Sequence, residues 1–306
     1  MQNRKETSQE VTRRLTGISH ILDSIAVEAT AETKAQIEQA KRILLMAAQG
    51  SDNPFFPANT LQNTLNNSTP ALFNTENITT RKYNIKDFQN IEFDCAFIFE
   101  ISYGSEYNVS VTANESLFEK ISVVQSGDIL KFFLKPVRFQ ARPILEAKIT
   151  LPVLNRLRQS AATCGMVTGF QMPGLFDLYL SGASSTEVNL ECGEAHLEIT
   201  GASHVSGNMR TGKADLLVSG ASSAKLSGQC ENLSLSGWGA ADMDLAKFRS
   251  QEGTVYLKGA SIATVQVLKQ LNVDMTGASH LRYLSNPTLN EITLSGASVL
   301  CQDHRS

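Results

Sequence analysis

The chain has 306 residues, 42% of them hydrophobic and 19% charged, with a formal net charge of −3. That is enough apolar material for one or two folded domains and too much for a disordered chain. With no surplus of clustered Lys and Arg there is no electrostatic footprint for nucleic acid, and no stretch approaches the roughly 18 consecutive apolar residues that span a bilayer.

The opening MQNRKETSQEVTRRL carries charge with no apolar segment behind it. No signal peptide is therefore expected, and the sequence as written reads as cytoplasmic. Residues 1–50 read as a helical region. Thr7 and Glu10 have capping-box spacing, and Val11, Leu15, Ile18, Leu22 and Ile25 follow at steps of four and three. Thr30 caps a second helix, with Ile37, Ala40, Leu44 and Ala47 resuming that spacing before Gly50. Such a stripe packs on its own chain or serves as a seam for a partner or a second copy. Residues 51–81, rich in Asn and Thr with three prolines in SDNPFFPANTLQNTLNNSTP, read as a linker.

From residue 82 the pattern becomes all-β. NIEFDCAFIFEISYG and YNVSVTANE alternate as strands do. In ISVVQSGDILKFFL, Ser126-Gly127-Asp128 separates two apolar segments as a hairpin turn does. EAKITLPVL adds another strand, so residues 82–160 read as the β-rich entry to a more regular domain.

Residues 161–306 are repetitive. Gly-Ala-Ser recurs at Gly182, Gly201, Gly220, Gly259, Gly277 and Gly296, and a divergent copy, LSLSGWGAAD, places its corner at Gly237. On that register successive corners lie 19, 19, 17, 22, 18 and 19 residues apart. Two residues before each glycine stand Leu180, Ile199, Val218, Leu235, Leu257, Met275 and Leu294. Four before stand Leu178, Leu197, Leu216, Leu233, Val255, Val273 and Ile292. Alternation that ends in a tight corner every 19 or so residues describes the coils of a parallel β-helix, or solenoid. Val188, Leu226, Met243, Val265 and Tyr283 mark a second, looser strand after each corner.

This repetition decides how the serines are read. A catalytic serine is single in its surroundings, whereas Ser184, Ser203, Ser222, Ser261, Ser279 and Ser298 are equivalents in one column. Ser222 also lacks the Gly-x-Ser-x-Gly elbow. Glycine suits a left-handed corner, and the hydroxyl bonds locally to the turn backbone. His204 and His280 share a column four coils apart, about 19 Å at the strand spacing, too far to share a metal. The five cysteines, Cys95, Cys164, Cys192, Cys230 and Cys301, form no compact framework and read as free thiols. Cys192 and Cys230 lie two coils apart, about 9 to 10 Å between Cα atoms, beyond disulfide reach.

Two contact candidates remain. Five residues before the glycines, Asp177, His196 and Asp215 in adjacent coils would form an open cation site, although polar residues there also suit the bend that opens a strand. Trp238, the single tryptophan, takes the alanine slot of the divergent coil; it is either a contact residue for a glycan or protein or a cover over the insertion.

The Gly-Ala-Ser corners, the lead-in YNIKDFQNIEFDCAFIFEISYGSEYNVSVTANESL, the GDILKFFL hairpin and LRYLSNPTLN resemble the bacterial head-GIN-domain family, described as autotransporter adhesins, over roughly residues 82 to 300. The resemblance implies a right-handed β-helix without catalytic residues, a cell-surface location and a role in adhesion. It supplies no binding residues. The charged helical start departs from the exported appearance of the family.

The sequence therefore predicts an all-β, non-enzymatic β-helix preceded by a short helical region, with no cofactor, no metal and no nucleic-acid partner. The first reading is a binding or adhesion module for an unknown glycan or protein. The alternative is an intracellular scaffold, bactofilin-like, that self-associates through its N-terminal helices or solenoid ends. An enzyme is disfavoured: a hexapeptide acyltransferase repeats every six residues, and a pectate-lyase-type site needs clustered Asp that do not stand out here.

Overall fold

The computed structural model describes residues 77–135 and 144–303. The helices expected over 1–50 lie outside the described residues, as does most of the linker expected over 51–81. The end of that linker stretch is strand: β1 opens at Ile78 and runs Ile78–Tyr83. Beyond it the described chain is strand and turn, apart from one 3-10 turn at Glu115–Leu117.

The entry region comprises β2 (Asn90–Asp94), β3 (Ile98–Tyr103), β4 (Asn108–Asn114), β5 (Ile121–Ser126), β6 (Ile129–Leu134), β7 (Leu145–Leu151), β8 (Arg156–Ser160) and β9 (Cys164–Gln171). Gly127 at φ 61° closes the antiparallel β5–β6 hairpin where the sequence places it. The strands do not stack in chain order. β2 lies between β6 and β8, and β3 between β7 and β9, all in parallel. β4 and β5 then run antiparallel to β7 and β6, and β1 pairs with β4. Aromatic rings fill this end: Phe93 stacks on Phe99 and on Phe132 with centroids 4.6 Å apart, and Phe97 meets Phe132 edge-on.

The repeats follow as β10 (Leu175–Leu180), β11 (Ser185–Ile199), β12 (His204–Gly220), β13 (Ser223–Gly239), β14 (Asp242–Gly259), β15 (Ile262–Gly277), β16 (His280–Tyr283), β17 (Thr288–Leu294) and β18 (Val299–Gln302). Each pairs in parallel with its counterpart in the next coil, giving a β-solenoid of about eight turns at roughly 19-residue spacing. Leu178, Leu197, Leu216, Leu235, Val255 and Val273 form one stacked column facing the interior, buried throughout. Period-2 alternation with small or branched apolar residues inward is what lets identical legs stack at the strand spacing without voids.

At the corners each alanine N–H donates to the glycine carbonyl of the previous coil, as from Ala202 to Gly182 at 2.9 Å and from Ala221 to Gly201 at 2.8 Å. Gly220 shows why the residue is glycine. Its φ is +77°, and a Cβ there would sit 2.6 Å from the Gly201 carbonyl oxygen.

One corner lies elsewhere than the sequence register places it. Ala240 N–H donates to Gly220 O, and Ala260 N–H to Gly239 O. The corner of the divergent coil is therefore Gly239, at φ +83°, and not Gly237. Gly237 pairs with Val218 and Leu257 in the inward column, and the last step of the divergent copy reads Gly239-Ala240-Ala241. The corner intervals become 19, 19, 19, 20, 18 and 19 residues. An inward glycine followed by tryptophan imitates a corner in sequence, but only a left-handed residue with its carbonyl in the ladder can be one.

Two earlier corners do without glycine. Ala161, at φ 54°, stacks beneath Gly182, and Cys95, at φ 110°, holds the same place between β2 and β3.

Candidate functional site

The serine column is structural. Ser184, Ser261, Ser279 and Ser298 each donate a hydroxyl bond to the backbone carbonyl three residues earlier, at 2.8 to 3.0 Å, closing the turn. Ser222 Oγ instead accepts from the Ser203 N–H at 3.2 Å. Ser184, Ser203, Ser222, Ser261 and Ser279 are buried. His204 Nδ1 lies 2.8 Å from Ser223 Oγ, not from a corner serine, and burial with Lys225 nearby pushes its pKa down. All five cysteines are free thiols, and burial raises Cys230 to about 12, which leaves a poor nucleophile.

Asp177, His196 and Asp215 do stand in register on adjacent coils. Their carboxylates, however, are already matched. Arg156 donates to Asp177 Oδ2 from Nη2 at 3.1 Å, and His196 Nδ1 lies 3.4 Å from Asp215 Oδ2. Tyr179 packs edge-on against His196, with the Arg158 guanidinium over its ring at 5.1 Å. The column holds one Arg–Asp ion pair, a His196–Asp215 contact and ring contacts, and no group of metal-ligating side chains is found among the described residues.

The coils ending at Gly239 and Gly259 carry an exposed aromatic each. The extra residue of the second is absorbed where the β13–β14 register shifts between Lys225 and Ser227. One inward position on each of the two coils is glycine. A Cβ at Gly237 would meet Met243 Cε at 2.4 Å, and one at Gly253 would meet Val267 Cγ2 at 2.8 Å, so neighbouring side chains already occupy that space. Trp238 is not in the alanine slot. It precedes the corner glycine, in register with Ser219 and Lys258, facing outward and 49% exposed. On the next coil Tyr256, in register with Ser236, is 47% exposed on the same face. One strand spacing across and two residues along puts their Cα atoms roughly 8 Å apart.

Along the same strands, two residues before Tyr256 and four before Trp238, Thr254 and Ser234 help line a hollow of about 190 Å³ over Gly253, with Lys213, Asn232, Glu252, Gln270 and Asn272 among the others. Asn232 and Glu252 line it and also line a groove of about 940 Å³ along the opposite bend of the coils. The groove reaches from Glu191 to Lys269 and includes Arg210 and Arg249. Tyr256 and the hollow escape the sequence reading for one reason. With the corner at Gly237, Trp238 falls past the bend and Tyr256 before it; with the corner at Gly239 they are neighbours.

Among the described residues no helix is long and apolar enough to cross a membrane. Several solved structures share the fold. A "putative adhesin" from Parabacteroides merdae is similar with a TM-score of 0.69 at 16% identity, covering 75% of this chain and 97% of that one. A "Putative lipid binding protein" from Parabacteroides distasonis gives 0.69 at 14%, over 75% and 98%. A "putative adhesin" from Bacteroides fragilis gives 0.57 at 15%, over 75% and 98%. No curated protein matches the sequence. The stacked corners and the family model that matches residues 87–287 agree, and the chain belongs to the family described as "Putative auto-transporter adhesin, head GIN domain".

Proposed function

We propose that the protein is a non-enzymatic binding module of the adhesion type, and that it meets its partner on the outer face of β13 and β14. The observation that carries this reading is the pair of large exposed aromatics, Trp238 and Tyr256, on a face otherwise built mostly from polar side chains. Exposed Trp and Tyr contribute more contact energy per residue than other side chains and cost little entropy to immobilise. The buried serine column and the paired Asp177 and Asp215 support a non-catalytic reading. The lipid-binding name of one similar structure finds less support, because aliphatic side chains fill the inward columns and mostly polar residues line both hollows. The test is adhesion of the full chain, immobilised on beads, to epithelial cells. Trp238→Ala with Tyr256→Ala is expected to abolish attachment at unchanged Tm; full attachment would sink the reading.

A second reading, self-association through the solenoid end, has its own observation. Ile292 and Leu294 continue columns that are buried elsewhere, yet are 43% and 44% exposed, and Val299 beside them is 45% exposed. Light scattering of the full chain decides it: a concentration-dependent mass that Leu294→Lys abolishes would favour the scaffold role over adhesion.

A further inference from the structure

We propose that the hollow over Gly253 and the Trp238–Tyr256 pair form one binding site for a neutral oligosaccharide. This rests on the adhesion reading above and names its ligand class. A sugar ring presents an apolar C–H face and a rim of hydroxyls, and the site offers a match to each. The two aromatic side chains supply flat apolar surface on adjacent coils. The hollow supplies hydroxyls and carboxamides from Asn232, Ser234, Thr254 and Gln270. Among the described residues, Asn232, Ser234 and Thr254 spend no side-chain hydrogen bond within the protein, so their donors and acceptors are open to a ligand.

Size points the same way. At about 190 Å³ the hollow is below the roughly 300 Å³ at which pockets for drug-sized ligands begin, so it suits one ring or the end of a chain. Asn232 and Glu252 line both the hollow and the larger groove, so a longer chain held in the hollow reaches the groove's edge. A protein partner would need a contiguous patch of roughly 800 Å² with an apolar centre. Two rings among polar and charged side chains do not provide one. Irregularity supports the assignment as well. The longer coil ending at Gly259, its shifted register, the inward glycines Gly237 and Gly253 and the two exposed rings all fall on these two adjacent coils.

Because Trp238 is the single tryptophan of the chain, its fluorescence reports on this site alone. The experiment titrates the full chain with cellulose-, amylose-, xylan-, mannan- and chitin-derived oligosaccharides and follows that emission. At least one is expected to give a saturable change with a micromolar to millimolar Kd. Tyr256→Ala and, separately, Asn232→Ala are each expected to weaken binding on the order of tenfold at unchanged Tm. The proposal is overturned if no oligosaccharide gives a saturable change, or if binding survives both substitutions. The bead assay separates this outcome from failure of the adhesion reading. If sugars fail but Trp238→Ala still abolishes attachment, the partner is a protein and only the saccharide assignment falls. If attachment survives as well, both fall.

Discussion

The coils ending at Gly201 and Gly220 and the two ending at Gly239 and Gly259 use the same corner, yet the latter two depart from the pattern along the leg that leads to it. In the first two the inward positions of that leg are Ala195, Leu197 and Ile199, and Ala214, Leu216 and Val218, and the outward ones are mostly polar. In the latter two Gly237 and Gly253 each take one inward position, and Trp238 and Tyr256 each take one outward position. The first arrangement fills a core by stacking like on like. The second borrows core volume from Met243, Leu257 and Val267, which fill the glycine positions from neighbouring places. The solenoid therefore separates two tasks. Repetition holds the rod together, and the proposed contact face lies where β13 and β14 depart from it.

Substitutions can break or sharpen that contrast. The largest effect is expected for Gly220→Val, in a regular corner. Left-handed strain of about 1–3 kcal/mol adds to a similar cost for displacing the Gly201 carbonyl, so the chain should lose about 4 kcal/mol in denaturant unfolding. An unchanged midpoint would contradict the corner ladder. Leu235→Ala comes next. Leu235 is fully buried in the column that runs unbroken through regular and irregular coils, and a loss of about 3 kcal/mol is expected. Gly237→Ala should cost less, about 1–2 kcal/mol, because the atoms its Cβ meets belong to the flexible ends of Met243 and Leu257 rather than to backbone. Were Gly237→Ala as damaging as Gly220→Val, Gly237 would be a corner after all.

Trp238→Ala should shift stability by no more than about 0.5 kcal/mol while removing attachment, since an exposed ring contributes to contacts with a partner and little to the core. A large drop in Tm would instead make Trp238 a cover over the irregular coil. The smallest effect concerns pH. Burial and Lys225 lower the pKa of His204 in the folded state, so the unfolded chain binds the proton more readily. Stability from this group is complete above the unfolded value near 6.5 and is lost as the pH falls toward the lower folded value. His204→Gln should flatten the decline of Tm as the pH falls below about 6.5, and an identical slope in both proteins would remove His204 from the account.

A different contrast separates the repeats from the entry region. There the rungs stack out of chain order, with β2 between β6 and β8, and phenylalanines replace aliphatic columns. Corners in that region are made by Ala161 and Cys95 in left-handed conformations that such residues adopt only when the surrounding ladder fixes them.

What the sequence by itself determined is the local and the periodic. Alternation, the corner glycines at regular intervals and the Gly127 hairpin follow from short-range sterics and from burial at period two, both of which are written in neighbouring residues. Equivalence of the six serines came from the same repetition and removed a catalytic reading. Tertiary structure alone decided which of Gly237 and Gly239 turns the divergent corner, because both are glycines in nearly the same surroundings and the bonds from Ala240 N–H to Gly220 O and from Ala260 N–H to Gly239 O distinguish them. It also decided that Arg156 claims Asp177, that β6 and β7 slide beneath β2 and β3, and that Trp238 and Tyr256 share a face. Each of these is a relation between residues about 20 or more positions apart. Such relations depend on the register of whole strands, and a displacement of two residues in one coil is enough to bring the two aromatics together or to separate them.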